Sequence, residues 1–128
     1  MENQAQLPSL IPIYTSKGDI DAFLAYPYIF NRSGDWIGWV TKRREVYSVI
    51  GNYVGYLSDD PRILRKRATS TLKPRLNPPP PPRPIRVPAT VPLAPMMSEL
   101  TYSVIDVLVE EPERLHTLES GEFRQDLD

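Results

Sequence analysis

The chain has 128 residues, 15 of them proline and none cysteine, with 15 basic and 16 acidic side chains and a formal net charge of −1. The lack of cysteine excludes disulfides and thiolate metal sites, and so much proline leaves room for one small packed domain plus extensions. Met1 to Leu10 has neither a basic nor an apolar leader-like region, and no stretch approaches the roughly 20 apolar residues of a membrane-spanning helix, so a soluble cytoplasmic chain is expected.

Three Gly-polar pairs, Gly18-Asp19, Gly34-Asp35 and Gly51-Asn52, set the register of the first half. Four residues before each glycine stands an aromatic, Tyr14, Phe30 and Tyr47, preceded by Ile13, Ile29 and Val46. After each glycine comes a small, an aromatic and an aliphatic residue: Ala22-Phe23-Leu24, Gly38-Trp39-Val40 and Gly55-Tyr56-Leu57. β-Branched and aromatic residues suit a pleated, half-buried surface, and glycine supplies the positive φ of a tight turn, so each unit is predicted to be a β-hairpin. The Asp or Asn after the glycine is expected to bond nearby turn amides through its side chain. The small residue inside the second strand predicts close approach of another backbone. Units run over about 13–28, 29–45 and 46–62, and a degenerate fourth over 63–72 begins with Ile63-Leu64 but has Ala68 where the glycine belongs. So short a unit cannot bury its own apolar face, so the copies must share one core. Counting back by the same spacing reaches Ala5-Gln6-Leu7, which is expected to complete the defective unit by pairing with Ile63 to Arg67.

The pattern from Ile13 to Leu64 resembles the bacterial four-fold β-flower proteins, small modules of β-hairpins arranged as four petals. The resemblance, which covers somewhat under half of the chain, implies an all-β module of three to four repeated β-hairpins around a pseudo-symmetry axis, and the module is read here over residues 1–72. It implies no activity, cofactor or catalytic residue. The structural positions are Gly18, Gly34 and Gly51 in the turns, with Tyr14, Phe30, Tyr47, Phe23, Trp39 and Tyr56 on the strands.

Residues 73–97 form a connector in which ten of the 22 residues from Pro74 to Pro95 are proline. Such a segment should be extended polyproline II. Within Pro78 to Arg83 the residues Pro78, Pro81 and Arg83 satisfy a PxxPxR pattern of the kind that aromatic grooves of SH3-like domains accept. The plainer readings, a spacer or a strap on the module's own aromatics, outweigh it, because any proline run near an arginine matches.

Charge is segregated along the chain: −2 up to Pro61, +8 with no acid from Arg62 to Met97, and −7 from Ser98 to Asp128. The basic segment 62–86 carries Arg62, Arg65, Lys66, Arg67, Lys73, Arg75, Arg83 and Arg86. It allows nucleic-acid or anionic-surface binding, although a charge-blunted strand edge is the stronger reading in a chain of near-zero net charge. In the acidic tail, 98–128, Ser98 can cap a helix with Leu100, Val104, Val107 and Leu108 at helical spacing, while Tyr102 to Val109, rich in β-branched residues, also suits a strand. A second short helix is expected from Pro112 through about Leu118, ending at Gly121. The tail's apolar stripe on an acidic background suits docking, on its own module or on a partner.

No phosphate loop, dinucleotide fingerprint or nucleophile elbow is present, and His116, the one histidine, has no companion ligand and is read as a solvated surface residue. A hydrolase using Asp19 and Asp35 is a remote alternative, since the third copy carries Asn52 there and keeps only the turn chemistry. The expected function is therefore a non-enzymatic scaffold or interaction module, without cofactor, that meets another protein through the proline arm or the tail.

Overall fold

The structure is a computed structural model that describes residues 10–68 and 73–119. Eight strands follow one another in both sequence and space: β1 (Ile11–Tyr14), β2 (Ile20–Ala25), β3 (Tyr28–Asn31), β4 (Trp36–Val40), β5 (Glu45–Ser48), β6 (Tyr53–Leu57), β7 (Ile63–Lys66) and β8 (Val104–Asp106). They form one curled antiparallel sheet in the order β1 to β8. After β8 come a single helical turn, α1 (Val107–Glu110), and, in place of the helix expected from Pro112 to about Leu118, a 3-10 turn at Pro112–Arg114, with residues 118–119 helical at the end of the described chain. Among the described residues no helix is long and apolar enough to cross a membrane.

The tight turns share one construction. The amides of Thr15, Asn31 and Ser48 donate to the carbonyls of Asp19, Asp35 and Asn52, and the amides of Gly18, Gly34 and Gly51 donate back to those same three residues. The glycines hold φ of 90°, 86° and 91°, in the left-handed region where a Cβ is penalised. The turns are closed by the residue three before the glycine, not by the Asp or Asn after it. Thr15 Oγ1, Asn31 Oδ1 and Ser48 Oγ accept turn amides, whereas the carboxylates of Asp19 and Asp35 accept no hydrogen bond among the described residues. The link between β4 and β5 repeats the construction with Thr41 and, at φ 67°, Arg44.

Each of these three hairpins carries a β-bulge. Ile13 faces Ala22 while Tyr14 faces Ile20, which leaves Asp21 as the extra residue. The same step leaves Ile37 extra between β3 and β4, and Val54 extra between β5 and β6. Ile37 and Val54 enter the central aliphatic core with Ile13, Ile29, Val46 and Ile63. A Cβ on Gly38 would come within 2.8 Å of the Tyr47 carbonyl oxygen and 2.7 Å of Leu115 Cδ2, and one on Gly55 would overlap the Leu64 carbonyl oxygen. Neighbouring strands and the C-terminal segment therefore pass close at these positions.

The last antiparallel pair joins strands far apart in the chain. β7 pairs on one side with β6 and on the other with β8, through Leu64 with Asp106, Arg65 with Ile105 and Lys66 with Val104. The edge assigned to Ala5 to Leu7 is therefore taken by β8. Those residues lie outside the described part, as do Thr69 to Thr71 and Gly121. The helix expected over Leu100 to Leu108 is corrected too. Residues 98–103 form neither helix nor strand, and β-branched Val104 and Ile105 pair with the waiting edge of β7 before the chain turns helical at Val107.

Residues 73–97, also free of helix and strand, strap the module. Their contacts visit the hairpins in reverse chain order: Leu76 N donates to Gly51 O, Ile85 N to Gly34 O, and Tyr14 Oη to Pro92 O. At the end of the strap the Ser98 carbonyl accepts from Arg62.

Candidate functional site

The aromatic residues form a second cluster beside the aliphatic core. Phe30, Trp36, Trp39, Tyr47 and Val49 are buried, with Tyr28 edge-on to Trp36 (6.0 Å, 84°) and Trp39 stacked on Tyr47 (5.2 Å, 26°). The buried indole N–H groups are satisfied internally, Trp36 Nε1 by Gly38 O (2.7 Å) and Trp39 Nε1 by Ser48 O (3.0 Å). Tyr14 and Phe23 are buried as well, and Tyr53 and Tyr56 half-buried, so the repeated aromatics present no open face. Leu76 and Ile85 of the strap pack against the cluster, and Tyr28 Oη donates to Pro80 O at 2.8 Å.

Which side of the strap faces the module follows a simple period. Half-buried residues recur at every third position, Leu76, Pro79, Pro82 and Ile85, and again after a bend at Ala89 as Val91, Ala94 and Met97. Only Pro78 and Val87 are half-buried besides these. Pro80, Pro81, Arg83, Pro84 and Arg86 are exposed. Of the PxxPxR residues, Pro81 and Arg83 therefore face solvent while Pro78 is half covered.

Half of the basic block is committed to partners within the chain. Arg62, only 2 % exposed, grips Asp60 with two nitrogens (2.7 and 3.1 Å) and also donates to Ser16 Oγ and Ser98 O. Ser16 in turn donates its amide and its hydroxyl to Asp106, so the knot ties the first hairpin, β7, β8 and the strap's end. Arg65 pairs with Glu111 (2.6 Å), and Arg67 reaches Glu110 (3.5 Å) with its guanidinium 4.4 Å from the Tyr102 ring. Lys73 pairs with Glu45 (2.7 Å) over the Tyr53 ring. Lys66, Arg75, Arg83 and Arg86 remain exposed without an ion pair among the described residues. Burial pushes the Asp60 carboxyl up, but its bonds from Arg62 and Ser58 outweigh that and hold it below the ordinary value. Glu111 is held down in the same way by Arg65 and Arg114.

A cleft of about 750 Å³ opens between the first two hairpins and the C-terminal segment, lined by Asp21, Asn31, Arg32, Ser33 and Ile37 on one side and Leu108, Pro112, Glu113, Leu115, His116, Thr117 and Glu119 on the other. A hollow of about 370 Å³ that shares Asp21, Arg32 and Leu108 extends it past Thr15, Lys17 and Asp19. His116 is thus a half-buried wall residue, its Nδ1 2.9 Å from Thr117 O, rather than a freely solvated one. Asp19 and Asp35 sit in two separate hairpin turns, and among the described residues no group of three or more His, Asp or Glu could hold a metal ion. Burial raises the Asp21 carboxyl above its ordinary value, Arg32 offsets part of this, and Asp106 and Asp19 push it further up. Asp21 did not stand out among the motifs, yet the repeat carries its signal. The residue before Ala22, Gly38 and Gly55 reads Asp21, Ile37, Val54, one acid where the other two copies are aliphatic.

Comparison of the chain with family models, with curated proteins and with solved structures finds no match.

Proposed function

We propose that this protein is a non-enzymatic interaction module: a four-petalled β-scaffold, with β7 and β8 as the fourth petal, that displays a proline-rich ligand to a partner's aromatic groove. The observation that carries this reading is the period-three burial of the strap. A polyproline II helix has three residues per turn, so one edge, Leu76, Pro79, Pro82 and Ile85, rests on the module with Pro78 half covered beside it, while Pro80, Pro81, Arg83, Pro84 and Arg86 stay outward. The outward part holds Pro81 and Arg83, the proline and cation that an SH3-like groove reads. A ligand held extended at both ends does not lose that freedom again on binding, which favours affinity.

Titration of the intact protein with a panel of SH3-type domains, followed by NMR, tests the reading. Binding should perturb residues 80–86, and Pro81→Ala or Arg83→Ala should weaken it about tenfold or more without changing the melting temperature. If no domain in the panel perturbs that segment at millimolar concentration, the display role is wrong. The same holds if Leu76→Ala, on the inward edge, weakens binding as much as Arg83→Ala while the fold is intact.

A further inference from the structure

The cleft beside Asp21 shares no residue with the strap, and its chemistry is unexplained by folding. The fold places an aliphatic side chain at the bulge in the second and third hairpins, Ile37 and Val54, both buried in the core. In the first hairpin the same bulge carries Asp21. Local rules broken without a compensating contact mark functional positions more often than structural ones, and here the compensation is missing. Among the described residues the Asp21 carboxylate accepts no hydrogen bond and forms no ion pair. Arg32 lines the same cleft but does not close on it.

The surroundings select the ligand. Asp19, Glu113 and Glu119 share the cleft and its extension with Asp21 against Arg32 and Lys17. Asp106, 3 % exposed, lines neither hollow, but its charge acts on Asp21, and one of its carboxylate oxygens has no hydrogen-bond partner among the described residues. An anion is therefore disfavoured. A divalent cation would want several carboxylates converging on one point, and the described residues offer no such group. An ammonium needs one good carboxylate and looser acceptors, and Ile37, Leu108 and Leu115 supply an apolar wall for an aliphatic stem. We infer that this cleft binds a primary ammonium group carried on an aliphatic stem, with the Asp21 carboxylate as its counter-ion.

Two probes distinguish the sources of such a group: pentylamine for a free amine, and N-acetyl-lysine methylamide for a lysine side chain of a peptide. The N-acetylated form of each amine is the control. Binding is followed by NMR on the intact protein. At least one ammonium probe should shift the Asp21, Ala22 and Leu108 amides saturably, while its acetylated control does not. Asp21→Asn, close in shape, should weaken the effect about tenfold or more. Asp21→Val, which restores the aliphatic pattern of the other hairpins, should abolish binding and raise the melting temperature. The inference is overturned if neither ammonium probe saturates, if an acetylated control binds as well as its amine, or if Asp21→Val still binds.

Discussion

At the residue scale the three turn glycines look alike in sequence but carry different loads. All hold positive φ, yet a Cβ on Gly18 would meet nothing within 4 Å, whereas one on Gly34 would overlap the Ile85 carbonyl oxygen and one on Gly51 the Leu76 carbonyl oxygen. Gly18→Ala should cost only the left-handed penalty, about 1–2 kcal/mol. Gly34→Ala adds a collision with the strap's backbone, about 1–3 kcal/mol more. Urea unfolding of the two variants checks the difference, and equal losses would mean that the strap does not press on the second hairpin. Arg44 shows how a residue with a Cβ tolerates the same conformation. Its guanidinium donates to Leu57 O and Ser58 O, both at 2.8 Å, two hydrogen bonds that offset the backbone strain.

At the scale of elements, the strap over residues 73–97 lies on the module's own aromatics, with Leu76 and Ile85 packed against them. Only two of its amides, Leu76 and Ile85, donate to the hairpin backbones, while Arg75, Asn77, Arg83 and Arg86 are exposed. Native-state hydrogen exchange should therefore show two protected amides nine residues apart within an otherwise fast-exchanging segment. Uniform fast exchange would place the strap off the module. The proline content accounts for the absence of helix and strand over the segment 73–97. Which third of it would face inward depended on where Tyr28, Gly34 and Gly51 stand on the folded module, and nothing within the segment encodes that. In the C-terminal piece the strand reading prevails over the helical one at Val104–Asp106. Helical spacing of Leu100, Val104, Val107 and Leu108 was real, but an open edge on β7 offers Val104 and Ile105 backbone bonds and burial that an isolated short helix cannot match.

For the whole molecule, acid sensitivity should come from the ion pairs that fasten the ends of the sheet. Asp60 and Glu111 have folded-state pKa values below their ordinary 3.8 and 4.5. Their pairs stabilise the fold fully above those values, and the stabilisation is lost as pH falls through the lower folded-state values. Asp21 has the opposite sign, since its raised pKa makes the charged form a cost at neutral pH that disappears on protonation. Urea midpoints at pH 7 and near pH 3 should show Asp60→Asn destabilised at pH 7 and converging on wild type in acid. Asp21→Asn should be more stable than wild type at pH 7 and converge from above. A constant offset for either variant at both pH values would remove the electrostatic account.

The amino-acid sequence by itself determined the local events. Strands appear where β-branched and aromatic residues cluster, chain reversals where glycine can hold positive φ, and a run free of helix and strand where proline withholds the backbone donors both would need. These depend on neighbours a few residues away. The tertiary structure alone decided that β7 takes β8 as its partner from almost forty residues downstream, and which edge of the strap lies on the aromatics. It also decided that half of a conspicuous basic run is neutralised, and that the aspartate of the first repeat unit lines a cleft instead of the core. Each of these is a competition for an edge, a charge or a buried volume among segments far apart in the chain, and burial and pairing resolve it only once the sheet has curled.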